Sequence, residues 1–213
     1  MGEIHMIPLK IINYKHMKFS YKIGFTLIIT LFFLNSIGQT LPIVKIETSL
    51  GEIMVEIDTL NAPITASNFL KHIEKGSYKN AIFYRTVRMD NQPNNDVKIE
   101  VIQGGVIVEV QFEKIEPICH ETTKDTGIKH LNGTISMARS VPGTATTEFF
   151  ICIGDQPELD FGGKRNPDGQ GFAAFGLVVE GMNVVRKIQQ QNDRNQTLLE
   201  KVKISDISLK IDR

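Results

Sequence analysis

The sequence predicts a mainly β fold, a barrel or a sandwich assembled from many short strands. Three observations carry that reading. Segments such as Val44-Lys45-Ile46-Glu47-Thr48 and Ile53-Met54-Val55-Glu56-Ile57 alternate apolar and polar side chains, as half-buried strands do. Clusters of Gly, Asn and Pro separate such segments at short intervals, the spacing of sandwiches and closed sheets. Only two stretches carry a helical period, and the 213 residues hold neither an internal repeat nor a linker long enough to divide them. With 41% hydrophobic residues the chain can fill one sizeable core.

The N-terminus comes first in chain order. Lys18 and Lys22 precede an apolar run, Ile23 to Leu34, interrupted only by Gly24, Thr26 and Thr30. Ser36-Ile37-Gly38 then puts small residues where a signal peptidase needs them. We read residues 1–38 as an export signal and residues 39–213 as the folded domain. Met17 is a natural start, because 1–16 add nothing that a signal requires. An uncleaved anchor is the alternative, although the run is short for a spanning helix. The expected destination is the periplasm or the medium, with no membrane partner unless the signal is retained.

The first two strands make a hairpin around Ser49-Leu50-Gly51-Glu52. A helix follows over Asn61 to Gly76, opened by Pro63, with Ala66, Phe69, Leu70 and Ile73 on one face and Gly76 suited to a left-handed cap. Further strands are expected over 81–84, 99–103, 106–112, 133–138, 148–153, 173–179 and 202–211. The second helix, Met182 to Gln190, presents Val184, Val185 and Ile188 after Gly181.

Charge and composition exclude several functions. The 24 basic and 24 acidic residues cancel, and removing 1–38 leaves 20 basic and 23 acidic. No basic stripe remains to neutralise phosphates, so nucleic acid is not an expected partner. His72, His120 and His130 lack metal-ligand spacing, and the side chains of adjacent Cys119 and His120 would diverge on a strand. No Ser/His/Asp set has a supporting nucleophile elbow. The glycine-rich run from Phe161 to Gly171 lacks the strand-to-helix context of a phosphate cradle. No cofactor or metal is expected. Cys152, inside the apolar run Phe149 to Ile153, reads as a small core residue, although export would permit a disulfide with Cys119 if the fold brings the two together.

Four strings remain: Phe83-Tyr84-Arg85, Gln103-Gly104-Gly105, Ser136-Met137-Ala138-Arg139 and Glu148-Phe149-Phe150, continued by Ala173-Ala174-Phe175-Gly176. In this order and approximate spacing they resemble the cyclophilin family of peptidyl-prolyl cis/trans isomerases. The resemblance implies a closed antiparallel eight-stranded barrel capped by two helices, and catalysed rotation about Xaa-Pro bonds. It casts Arg85 as the cation facing the prolyl nitrogen. Gln103 would hold the substrate carbonyl and orient Arg85, although a Gln before paired glycines can also mark a bulge. Strand alternation puts Phe83 on the face of Arg85, and Tyr84 would contribute its hydroxyl. Ala138 and Arg139 would offer main-chain groups to an extended peptide. Val101, Phe150, Leu159 and Phe172 would wall the proline pocket, with Phe175 as core beneath. Glu148 would lie beside the groove, within reach of Arg139 or Arg85.

The chain departs from the family pattern in places. Tyr84 stands for a usual His, Glu148 for Gln, Glu100 for Phe and Glu158 for Trp, and the chain has no tryptophan at all. Inhibitors of the cyclosporin type should therefore bind poorly. A polar insertion, residues 89–98, separates Arg85 from Gln103. The expected partners are proline-containing segments of unfolded or partly folded proteins, and the expected state is a monomer. Glu100 and Glu148 leave a second reading open, a proline-peptide-binding chaperone module with little turnover.

Overall fold

The computed structural model describes residues 40–106 and 115–210, and from Leu41 these belong to one compact unit. The predicted export segment and most of the predicted strand 106–112 lie outside the described residues; Val106 itself follows the end of a strand.

Strand β1 (Ile43–Thr48) turns through Ser49-Leu50 into β2 (Gly51–Ile57), with Thr48 Oγ1 donating to the Gly51 carbonyl at 2.7 Å. Gly51 has φ +133°, and a Cβ there would meet Val184 Cγ2 at 2.8 Å, so both backbone and space demand glycine. Helix α1 (Pro63–Glu74) begins with proline, where an N–H would have no helical partner. Its residues Ala66 and Phe69 are buried, Leu70 and Ile73 pack partly against the core, and Gly76 follows with φ +66°. No side chain of its own caps the helix. Glu121 does so from a distance, its carboxylate accepting from Ile64 N at 3.1 Å, Thr65 N at 2.6 Å and Thr65 Oγ1 at 2.6 Å.

The remaining elements are β3 (Ile82–Val87), β4 (Val101–Gly105), α2 (Thr123–Thr126), β5 (Thr134–Met137), β6 (Phe149–Cys152), a 3-10 turn (Pro157–Leu159), β7 (Ala173–Glu180), α3 (Met182–Gln189), β8 (Asp193–Arg194) and β9 (Thr197–Leu209). All pairings are antiparallel, in the order β1-β2-β7-β5-β6-β4-β3-β9, and β9 pairs back onto β1. The result is the closed eight-stranded barrel, with β8 an extra two-residue hairpin arm on β9. The sequence reading expected two helices, and a third is present. Helix α2 is a single turn held by a Thr122–Asp125 capping box, too short to display a period.

Two apolar clusters lie on opposite faces of β4 and β6. Ile102, Phe149 and Ile151 join the main core with Phe69 and Phe175, whose rings stand 5.1 Å apart. Val101, Phe150 and Cys152 alternate with them and join a second cluster with Val87, Ile99 and Leu159. Both cysteines are free, Cys119 exposed and Cys152 buried.

Candidate active site

The site begins at an irregularity in β3. Its register slips between Phe83 and Arg85 against both neighbours, β4 and β9. A bulge at Tyr84 cancels the expected alternation. Phe83 therefore does not share a face with Arg85: it is fully buried in the main core, edge-on to Phe149 at 5.7 Å. Arg85 turns outward to line a cavity of about 240 Å³.

Three hydrogen bonds hold the Arg85 guanidinium. Nη1 donates to Gln103 Oε1 at 2.7 Å, while Nε and Nη2 donate to Gln196 Oε1 at 3.1 and 2.6 Å. One N–H on each terminal nitrogen is left for the cavity. Burial pushes the pKa of Arg85 down, opposed by Tyr84 and Glu148, and both oxygens facing it belong to neutral amides. The cation is thus oriented without being neutralised.

Gln103 sits between two groups that set its amide orientation. Its Nε2 donates to Tyr84 Oη at 2.6 Å and to Glu148 Oε2 at 3.0 Å, and Tyr84 Oη donates to the same carboxylate oxygen at 2.5 Å. A carboxylate can only accept, so it turns the amide nitrogen toward itself and the amide oxygen toward Arg85. Glu148 pairs with neither Arg139 nor Arg85, contrary to the sequence reading: the Tyr84 hydroxyl and the Gln103 amide satisfy it first. Burial and the bond to Glu148 raise the pKa of Tyr84, which keeps it a donor.

The second apolar cluster floors the cavity. Val101, Phe150, Leu159 and Phe172 line it together, and Phe150 meets Phe172 edge-on at 5.2 Å. Ile99 supplies the wall expected to be disturbed by Glu100, whose Oε1 instead accepts from Gln189 Nε2 at 3.1 Å, away from the lining. Glu158 also misses the lining and accepts from Lys164 N at 2.8 Å.

Ala138 and Arg139 form the rim. Ala138 N already donates to the Glu148 carbonyl at 2.9 Å. The Arg139 side chain clamps the glycine-rich loop, bonding Asp168 at 2.8 and 2.9 Å and the Gly171 carbonyl, with its guanidinium 5.1 Å from the Phe172 ring centre. These hydrogen bonds to Arg139, joined by the Gln170 N–H, hold Asp168 at a pKa of about 2.

Beneath Phe150 lies an arrangement that the sequence did not suggest. His130 stacks on its ring at 5.9 Å, with Nδ1 at 2.9 Å from Asp160 Oδ1 and Nε2 at 3.0 Å from Ser136 Oγ. The order Asp–His–Ser is that of a hydrolase, but Ser136 is fully buried and does not line the Arg85 cavity. It is a satisfied buried polar chain under the pocket floor.

Five residues at the site escaped the sequence reading: Gln196, Ile99, Gln92, Arg165 and Asn166. Gln196 follows Asn195 in the β8–β9 turn, and both have positive φ, which no period reveals. Gln92 and Arg165 fall in segments rich in turn formers, legible only as loops. A larger hollow of about 730 Å³, among Lys45, Glu52 and Glu180, has no aromatic wall. Among the described residues no cluster of His, Cys, Asp and Glu could hold a metal ion.

Comparison with known proteins agrees with this geometry. Residues 43–209 match the family described as cyclophilin type peptidyl-prolyl cis-trans isomerase/CLD. A peptidyl-prolyl cis-trans isomerase of Streptomyces antibioticus is 36% identical over 148 residues, covering 68% of this chain and 82% of that protein. Peptidyl-prolyl cis-trans isomerase B of Escherichia coli is 36% identical over 149 residues, covering 68% and 83%. In fold, the chain superposes on a Cryptosporidium parvum cyclophilin type isomerase with a TM-score of 0.65 at 22% identity, covering 81% of this chain and 99% of that one. A strand bulge that exposes an oriented arginine over an aromatic-floored cavity, and a family match spanning the whole barrel, lead to one conclusion: this chain belongs to the cyclophilin-type peptidyl-prolyl cis-trans isomerases.

Proposed function

We propose that the chain accelerates rotation about Xaa-Pro bonds at the Arg85 cavity and so assists the folding of exported proteins. The observation that carries the reading is the Arg85 guanidinium, held by neutral oxygens and directed at a cavity with an apolar floor.

Amide resonance opposes rotation of the prolyl bond with a barrier of about 20 kcal/mol. No nucleophile or metal is needed to lower it. The proline ring enters between Phe150, Val101, Leu159 and Phe172, which fixes it while the flanking peptide turns. As the bond twists, the prolyl nitrogen loses resonance and becomes pyramidal, with a lone pair that can accept a hydrogen bond. Arg85 donates to that lone pair, an interaction available only in the twisted state, so it stabilises the transition state above the ground state. One preorganised donor of this kind supplies roughly 2.7–4 kcal/mol. Gln103 acts by aiming Arg85. The Ala138 and Arg139 main chain and the Glu148–Tyr84 pair border the path of the peptide.

The pattern of Lys18, Lys22, the apolar run and Ser36-Ile37-Gly38 supports export. Uncatalysed prolyl isomerisation takes tens of seconds, long enough to limit folding after export. A proline-peptide isomerisation assay beside Arg85→Ala tests the activity, and a mutant as fast as the parent would sink it. Mass measurement of the protein recovered from cells tests export: a mature N-terminus at Gln39 supports it, and an intact N-terminus in the cytoplasm refutes it.

A further inference from the structure

The cavity is lined by three arginines, Arg85, Arg139 and Arg165, and by no acidic side chain. Their charges are not equally compensated. Arg139 is paired with Asp168. Arg85 faces amide oxygens of Gln103 and Gln196. Arg165 donates from Nη1 to the Val97 carbonyl at 2.6 Å and to Gln92 Oε1 at 3.1 Å, both neutral. Among the described residues neither Arg85 nor Arg165 forms an ion pair. Two guanidinium groups without an ion-pair partner thus share one small cavity in a chain of zero formal charge.

The position of Arg165 is built rather than incidental. Gln92, from the 89–98 insertion, is fully buried, and its amide is saturated. Its Nε2 donates to the Arg88 and Ile99 carbonyls, each at 2.7 Å, while Oε1 accepts from Ile99 N at 3.3 Å and from Arg165. The Arg165 backbone N donates to the Glu158 carbonyl at 3.1 Å, fixing the loop that carries it. Insertion and glycine-rich loop therefore meet at this one cation. Burial and, after it, the charge of Arg85 lower its pKa.

We infer that Arg165 is a specificity residue that selects substrates carrying a carboxylate next to the proline, and that Gln92 is the positioning residue that holds it in place. The inference rests on the isomerase reading for its chemistry. A carboxylate entering beside the proline ring meets the free N–H groups of Arg165 in a partly desolvated setting, where charge-assisted bonds are strongest. The carboxylate has three possible sources: a Glu before the proline, a Glu after it, or the free C-terminus of a chain ending in proline.

Matched peptides decide among them with the full-length protein: Glu against Gln before the proline, Glu against Gln after it, and a free prolyl carboxylate against its amide. At least one acidic peptide should exceed its neutral partner in kcat/KM by about tenfold or more, the worth of one charge-assisted hydrogen bond. The ratio should shrink with added salt. Arg165→Gln should bring it close to one, Arg165→Glu should invert it in favour of a Lys peptide, and Gln92→Leu should lower it through KM with kcat retained. Ratios near one in all three arms for the wild-type protein overturn the inference. Absence of turnover on every peptide would instead refute the isomerase reading, and the Kd ratios of the same pairs would then judge the carboxylate preference alone.

Discussion

Gln196 accepts two hydrogen bonds from Arg85 across 111 residues of sequence, through a single amide oxygen. Its own backbone N donates to Asp193 Oδ2 at 2.9 Å and its Nε2 to the Asn91 carbonyl at 3.2 Å. The cation is therefore aimed from both sides, by Gln103 on β4 and by the turn that leads into β9. Arg85→Ala should lower kcat/KM about a hundred- to a thousandfold, the effect of losing one preorganised donor. Gln196→Ala should cost about tenfold, chiefly in kcat, because the peptide still binds while the guanidinium wanders. Steady-state kinetics on one proline peptide separates the two; an unchanged kcat in Gln196→Ala would show that Gln103 alone suffices.

Glu148 holds Tyr84 and Gln103 together, so what replaces it matters more than its charge. Glu148→Gln keeps an acceptor for both groups and should retain activity within about tenfold, the cost of exchanging charge-assisted hydrogen bonds for neutral ones. Glu148→Leu strands a half-buried hydroxyl and amide, at about 1–3 kcal/mol, and frees Gln103 to flip its oxygen away from Arg85. Equal activity in the two variants would contradict this account.

Glu121 caps α1 from outside it. Loss of a cap costs about 0.5–2 kcal/mol, so Glu121→Ala should lower the melting temperature by several degrees. Since Glu121 lies outside the cavity lining, kcat/KM should be unchanged below the new transition.

Stability should fall with acid in two steps. His72 lies below its ordinary 6.5, mainly through burial and then through Lys75 and Lys71, and His120 lies low chiefly through burial. The unfolded chain thus binds more protons, and stability that is full above pH 6.5 is lost as pH falls through the folded values. A second loss begins below 3.8. Burial pushes Asp160 up, but the bonds from His130 outweigh it, and in Asp193 the Gln196 N–H and Arg88 do the same. Both contributions are present above 3.8 and vanish as the folded values are passed. Melting temperature measured against pH should show both steps, with the first shallower in His72→Gln. A melting temperature that rises between pH 7 and 5.5 would refute the first.

Much of the barrel was legible because its signals are local. The Val44–Ile57 hairpin, the Pro63 start of α1 and the alternation of Phe149 and Phe150 each follow from a few consecutive residues, and the fold places each as expected. Val101, Phe150, Leu159 and Phe172 do line one cavity, but it was the family resemblance that pointed to them; alternation alone separated only Phe150 from Phe149. Phe83 failed because a bulge is an insertion into pairing, and pairing partners are not written in one strand. Helix α2 failed because one turn has no period.

By itself, then, the sequence determined the class of fold, and its resemblance to a known family pointed to Arg85 and to the apolar residues that line the cavity with it. Tertiary structure alone decided how that cation is aimed and what surrounds it. Hydrogen bonds from Arg85 to Gln196, from Arg165 to Gln92 and from Gln103 to Glu148 join residues far apart in the chain through side-chain geometry. Alternation and periodicity record which face of an element is buried; they carry no information about which distant amide will stand opposite a given charge once the barrel has closed.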